Sequence, residues 1–84
     1  AKAEALVALG RADRVAIVDT ARMAVVAYVP VGRRVWHLAL SPDGRRAFTT
    51  DGVSDTVSVI DIPERRLVTQ IKVGRSPWGV VVAP

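Results

Sequence analysis

Two arginines of this sequence have the type and placement of an anion-binding pair. Arg33 and Arg75 each follow a Val-Gly pair and precede a tryptophan by three positions. Guanidinium groups bind carboxylates and phosphates with bidentate geometry. We therefore predict that Arg33 and Arg75 bind a small anionic ligand or a protein partner. The alternative is that both are solvated turn residues.

The tryptophans and the only histidine lie just after these arginines. Trp36 and Trp78 are predicted to pack between neighbouring sheets, with stacking on a ligand as the alternative. His37 is predicted to be a structural or incidental histidine, with a role as a ligand or a base as the alternative. A triad with Ser41 is excluded because four residues along a strand span about 13 Å. The candidate binding residues are therefore Arg33, Arg75, Trp36, Trp78 and His37.

No residue set for catalysis or metal binding is evident. A closed metal site needs several histidine or cysteine ligands, and this sequence has one histidine and no cysteine. Asp13 and Asp19 recur at one common spacing as Asp55 and Asp61. Such paired carboxylates could do acid–base work, but their recurrence favours turn and strand-end hydrogen bonds. We predict a protein that is not an enzyme, with no catalytic residue, metal or cofactor.

These residues belong to a repeat that spans half of the chain. Displacing the sequence by half of its length aligns it with itself without a gap and gives 11 identities in 42 positions. The identical residues include the pairs Gly10 and Gly52, Val15 and Val57, Val26 and Val68, and Trp36 and Trp78. We therefore predict one unit, residues 1–84, composed of repeat one at 1–42 and repeat two at 43–84.

Each repeat is predicted to hold four strands. Short runs rich in β-branched residues alternate with turn residues roughly every 8 to 12 positions, which is typical of an all-β fold. The predicted strands are Ala5–Leu9, Val15–Asp19, Val25–Val29 and Val35–Leu40, then Ala47–Thr50, Val57–Ile62, Leu67–Val73 and Trp78–Ala83. Several of them are apolar on both faces, which indicates sheets packed front and back, like the blades of a β-propeller.

Composition limits the class of protein. Half of the 84 residues are hydrophobic, which argues against disorder. A core this small, without disulfides, usually needs a partner surface. The net charge of +4 comes from arginines scattered between apolar runs, with few aromatics among them. This pattern favours solvated turns over a nucleic-acid interface. No segment reaches the roughly 18 apolar residues of a membrane span.

The second repeat resembles the YVTN-type β-propeller repeat family, named for its Tyr-Val-Thr-Asn strand. The matching segments are Ser41-Pro42-Asp43-Gly44, Ser54-Asp55-Thr56-Val57-Ser58-Val59-Ile60-Asp61, Ile71-Lys72-Val73-Gly74 and Pro77-Trp78-Gly79-Val80. The naming strand is degenerate, as Ala47-Phe48-Thr49-Thr50. The first repeat departs from the pattern at Val35, His37 and Ala1-Lys2. The segments Val35-Trp36-His37 and Pro77-Trp78-Gly79 look most like the corresponding segments of bacterial propellers associated with pyrroloquinoline-quinone-dependent alcohol catabolism.

The resemblance implies a β-propeller fold, to which this chain contributes the equivalent of two four-stranded antiparallel blades. Trp36 and Trp78 would then lie on innermost strands, so the first blade lacks its innermost strand and the last strand belongs to the next blade. Two blades cannot close a ring. The chain is thus expected to be a fragment of a larger propeller, or to assemble with itself into a homo-oligomeric ring of six or eight blades.

The function that we predict is a non-catalytic scaffold or protein-binding module. The alternative is part of an enzyme-associated propeller, of quinone or haem type, whose active-site residues lie outside this chain. The family resemblance implies a periplasmic or extracellular location.

Overall fold

The fold is described from a computed structural model, which covers residues 4–75 and 79–81. Seven strands connected by short turns make up most of the described chain. They are β1 (Glu4–Leu9), β2 (Arg14–Asp19), β3 (Ala24–Pro30), β4 (Val35–Leu40), β5 (Arg46–Asp51), β6 (Thr56–Asp61) and β7 (Arg66–Lys72). One turn of 3-10 helix, Gly10–Ala12, connects β1 to β2. The prediction of an all-β fold is confirmed.

The strands form two antiparallel sheets in which neighbours in sequence are neighbours in space. The first sheet has the order β1-β2-β3, and the second has the order β4-β5-β6-β7. Strands β1, β2 and β3 correspond to β5, β6 and β7 at the spacing of the sequence repeat. Within residues 4–75 and 79–81 the first sheet has no equivalent of β4. The predicted offset, with no innermost strand in the first blade, is therefore confirmed.

The eighth predicted strand, Trp78–Ala83, differs from what the structure describes. Residues 79–81 lie in no strand, and Trp78, Val82 and Ala83 lie outside the described residues. The equivalent strand β4 is hydrogen-bonded to β5. Strand geometry depends on a hydrogen-bonded neighbouring strand, and none of the described strands pairs with residues 79–81.

Local irregularities recur at the same spacing. Val26 is the extra residue of a bulge between β2 and β3, and Val68 is the extra residue of a bulge between β6 and β7. Asp13 and Asp55, which precede β2 and β6, both have the left-handed backbone, with φ of 56° and 59°. Aspartate tolerates this conformation better than most residues. The two sheets therefore share their local geometry, while the boundary between repeat one and repeat two stays a prediction.

The core lies where the two sheets face each other. Its fully or nearly fully buried side chains are Val15, Ile17 and Val29 of the first sheet, Ala47 and Ile60 of the second, and Ile62 of the turn that follows β6. Leu6, Leu38 and Leu67 pack against them. Strand β1 lies against β4, and β3 lies against β7. Burial of these aliphatic side chains holds the sheets face to face and fixes the turns at each end.

Candidate binding site

One end of the two sheets, which we call the arginine end, is formed by three turns. They are residues 10–13 between β1 and β2, residues 31–34 between β3 and β4, and residues 52–55 between β5 and β6. Residues 73–75, which follow β7, lie at the same end. The other end, called the opposite end below, consists of the turns at residues 20–23, 41–45 and 62–65. The 31–34 turn passes from one sheet to the other and contains Arg33.

The backbone of the 31–34 turn is held by its neighbours on both sides. The Arg34 N–H donates to Asp13 Oδ1 over 2.9 Å, and the Arg33 N–H donates to Ser54 Oγ over 2.7 Å. The Val53 N–H returns a bond of 3.1 Å to the Arg33 carbonyl oxygen. Both arginine side chains remain exposed. The turn therefore has a fixed backbone with two guanidinium groups in solvent.

Arg34 has a left-handed backbone, with φ of 60°. A non-glycine residue in this region costs free energy, which the surrounding structure must offset. The bond from its N–H to Asp13 and the bond that its carbonyl oxygen accepts from the Gly52 N–H, over 3.0 Å, hold it in place. This conformation places Arg33 and Arg34 at the surface while Val35 enters the core.

A buried carboxylate lies beneath the turn. Asp51 is fully buried and accepts three hydroxyl hydrogen bonds. Thr49 Oγ1 donates to its Oδ1 over 2.8 Å, and Thr56 Oγ1 and Ser58 Oγ donate to its Oδ2 over 2.8 and 2.6 Å. Multiple hydrogen bonds offset the loss of hydration of a buried charge. We call Asp51 and these three hydroxyl residues the Asp51 cluster.

The Asp51 cluster is bonded to the turn above it. The Gly32 N–H donates to Ser58 Oγ over 3.3 Å, and Gln70 Nε2 donates to the same oxygen over 3.1 Å. A Cβ atom at Gly32 would lie 2.6 Å from the Asp51 Cβ. Only glycine allows the backbone to approach this closely. The cluster thus sets the position of the turn that bears Arg33.

Sequence reasoning missed the Asp51 cluster, although a signal for it exists. Thr49 and Asp51 alternate on β5, and Thr56 and Ser58 alternate on β6. In the antiparallel register Asp51 pairs with Thr56, and Thr49 pairs with Ser58. Four hydrogen-bonding side chains at alternate positions of paired strands therefore indicate one polar cluster on a single face.

Trp36 and His37 lie on β4, the edge strand of the second sheet. Trp36 is the extra residue of a bulge, because Val35 pairs with Asp51 and His37 pairs with Thr50. Both side chains are exposed, Trp36 to 52%. The indole lies so close to Gly52 that a Cβ there would overlap it. The bulge turns both side chains outward, a common use of bulges near binding sites.

The structure groups Arg33 with residues other than those predicted. A cleft of about 510 Å³ at the arginine end is lined by Arg11, Asp13, Arg33, Arg34 and Val53. Arg75 is exposed after β7 and does not line this cleft, and neither do Trp36 and His37. Trp78 lies outside the described residues. That these residues bind a ligand stays a prediction.

The carboxylates at turns have the role that their recurrence predicted. Asp19 Oδ1 accepts the N–H groups of Ala21 and Arg22, and Asp61 Oδ1 accepts that of Glu64. The prediction of strand-end hydrogen bonds is confirmed for Asp13, Asp19 and Asp61. Within residues 4–75 and 79–81, no group of three or more His, Cys, Asp or Glu side chains could hold a metal ion. In the same described segments, no helix is long and apolar enough to cross a membrane.

A four-stranded antiparallel meander packed face to face on an equivalent three-stranded one defines the class of this protein: its sheets are blades of a β-propeller type. The chain is similar to a solved structure of Kuenenia stuttgartiensis hydrazine synthase, a protein that contains a β-propeller, with a TM-score of 0.89 and 30% sequence identity. The match covers 92% of this chain and 22% of that one. No family model and no curated protein matches the sequence.

Proposed function

We propose that this chain is a non-catalytic β-propeller scaffold that presents its arginine end to a partner. The observation that supports the proposal is that hydrogen bonds within the chain already hold most of its aspartate side chains. Asp13, Asp19, Asp43 and Asp61 accept hydrogen bonds that hold turns, and Asp51 is fully buried in its cluster. Carboxylates held in this way are poorly placed to exchange protons with a substrate.

Neighbouring blades are part of this proposal. Large hydrophobic side chains are exposed on both outer faces of the described sheets. They include Val7, Val25 and Tyr28 on the first sheet and Val68 and Ile71 on β7, each at least 43% exposed. Apolar patches of this kind mark contact surfaces. Further blades of a longer chain, or further copies of this chain, would pack against these faces. The packing would be face to face, like that of the first sheet on the second.

A charge placed on the outer face tests this function. Ile71→Glu, at a side chain 50% exposed on β7, should prevent stacking of the next blade and lower the solution mass to that of a single chain. Met23→Glu is the matched control, because Met23 is 83% exposed in a turn of the opposite end. Light scattering after size exclusion gives the mass. Unchanged assembly of Ile71→Glu would contradict the proposal.

A second candidate function is favoured by the similarity to hydrazine synthase, whose name is that of an enzyme. In this case the chain is one part of an enzyme-associated propeller, of quinone or haem type, and the active-site residues lie outside this chain. Absorption spectra of the natural protein that contains this segment, purified from its source, separate the two candidates. A visible quinone or haem band would favour the second, and a spectrum without such a band would favour the scaffold.

The proposed location is periplasmic or extracellular. It rests on the family resemblance. Fractionation of cells that express the natural protein, with antibody detection of this segment, tests it. Recovery in the cytoplasmic fraction would contradict the proposal.

A further inference from the structure

Charge is distributed unequally between the two ends of the sheets. At the arginine end and its bordering strand positions there are six basic residues and three acidic ones, which are Arg11, Arg14, Arg33, Arg34, Lys72, Arg75, Asp13, Asp51 and Asp55. At the opposite end there are five of each, which are Arg22, Arg45, Arg46, Arg65, Arg66, Glu4, Asp19, Asp43, Asp61 and Glu64. The whole net positive charge of the described residues therefore lies at the arginine end.

Arginines at the opposite end have carboxylate neighbours. Arg65 forms an ion pair of 3.2 Å with Glu4, and Arg22 lies 3.9 Å from Asp19. Arg45 and Arg46 line a cleft together with Asp43, Asp61 and Glu64. The charges at this end are therefore balanced within the chain.

Arginines of the cleft at the arginine end have fewer carboxylate neighbours and no ion pair within the described residues. Arg11, Arg33 and Arg34 form no salt bridge within residues 4–75 and 79–81. Asp13 is the only carboxylate in the lining, and its Oδ1 already accepts the Arg34 N–H. Three guanidinium groups thus border one cleft with a single, partly occupied carboxylate.

We propose that this cleft binds a small multivalent oxyanion, bearing phosphate or carboxylate groups, between Arg11 and Arg33. Guanidinium groups match both kinds of oxyanion by paired N–H donation. Concave walls with charge of one sign increase the local concentration of a ligand of opposite charge. The backbone under Arg33 is fixed by the Asp51 cluster and by Ser54, so little ordering is needed on binding. The inference rests on the proposed binding role of the arginine end and names its ligand class.

The test is a titration followed by backbone amide NMR at constant ionic strength. Sodium pyrophosphate and sodium citrate are the probes, and they distinguish a phosphate ligand from a polycarboxylate. We expect saturable shifts at the amides of Arg33, Arg34 and Val53 with at least one probe. Arg11→Gln combined with Arg33→Gln should weaken binding at least tenfold, because two charge-assisted contacts are lost.

Arg45→Gln combined with Arg46→Gln is the matched control. It removes the same charge from the opposite end and should change the affinity less than twofold. Linear, unsaturable shifts with both probes, or an equal loss of affinity in the control variant, would overturn the inference. Light scattering on the same samples separates the two proposals. Normal assembly without anion binding refutes the cleft alone, whereas saturable binding to a monomer refutes the scaffold assembly alone.

Discussion

Gly32 lies directly against the side chain of Asp51, and a Cβ atom added to Gly32 would lie 2.6 Å from both the Cβ and Oδ2 of Asp51. The contact joins the turn between the sheets to the buried carboxylate of β5. It also brings the Gly32 N–H to Ser58 Oγ. The position of Arg33 at the surface therefore depends on a small residue next to it in the chain and on a buried polar cluster beneath it.

Gly32→Ala should destabilise the protein by about 1–3 kcal/mol, because the new methyl group must displace either the turn or Asp51. Thermal unfolding followed by circular dichroism measures the effect. Gly79→Ala is the control, since a Cβ at Gly79 would meet no atom within 4 Å. Equal stability of Gly32→Ala and the wild type would show that the close approach is not required.

Asp51→Ala should cost about 3 kcal/mol, because the hydroxyls of Thr49, Thr56 and Ser58 lose a buried acceptor. Asp51→Asn retains one carbonyl oxygen for two of these hydroxyls, and its amide can donate to the third. We expect it to cost about 1 kcal/mol. Chemical denaturation compares the two variants. If Asn and Ala were equally destabilising, the hydrogen-bonding account of this cluster would be wrong.

Gly52→Ala should displace the Trp36 indole, which occupies the space that the new methyl group needs. In a Trp78→Phe background, where Trp36 is the only fluorophore of its kind, the emission maximum reports the movement. The loss of stability should be smaller when Trp36 is replaced by Ala, because the overlap is then removed. An identical loss with and without the indole would mean that Gly52 is needed for another reason.

Ser41→Ala should raise the pKa of Asp43. The Ser41 hydroxyl donates to Asp43 Oδ1 over 2.6 Å, and with the Arg45 N–H it lowers the pKa of this carboxyl below its ordinary value. A lowered pKa favours folding above the unfolded-state pKa, and this contribution is lost as the pH falls through the folded-state pKa. Carbon-13 NMR of the carboxyl group against pH measures the change, and an unaltered midpoint would refute the assignment.

The fold could be predicted because its signals are local. Turn residues such as Asp13 and Asp55, and β-branched runs such as Val15–Val18 and Val57–Ile60, recur at equivalent positions of the two repeats. Each repeat therefore supports the strand assignment of the other. The bulge at Trp36 was not predicted, because register depends on which residues pair across strands.

The candidate site could be predicted only in part, because the prediction relied on comparing the two repeats. That comparison selected Arg33 and Arg75, which occupy equivalent positions of the two repeats. The cleft instead joins Arg33 to Arg11 and Arg34, which the repeat does not conserve. The Asp51 cluster was missed for the same reason, because the first repeat has Leu9 at the position of Asp51. Tertiary packing, which a repeat comparison does not register, brings these residues together.

The most direct test of the scaffold account is the solution mass of this 84-residue chain, measured by light scattering after size exclusion. The account predicts that the apolar outer faces around Val7 and Val68 need a neighbouring blade. The isolated chain should therefore give one species of three or four times the 9.0 kDa chain mass if further copies supply that blade, or a polydisperse aggregate if it belongs to a longer chain. A folded, monodisperse monomer of 9.0 kDa would contradict it, because those apolar faces would then be stable in water without a neighbouring blade.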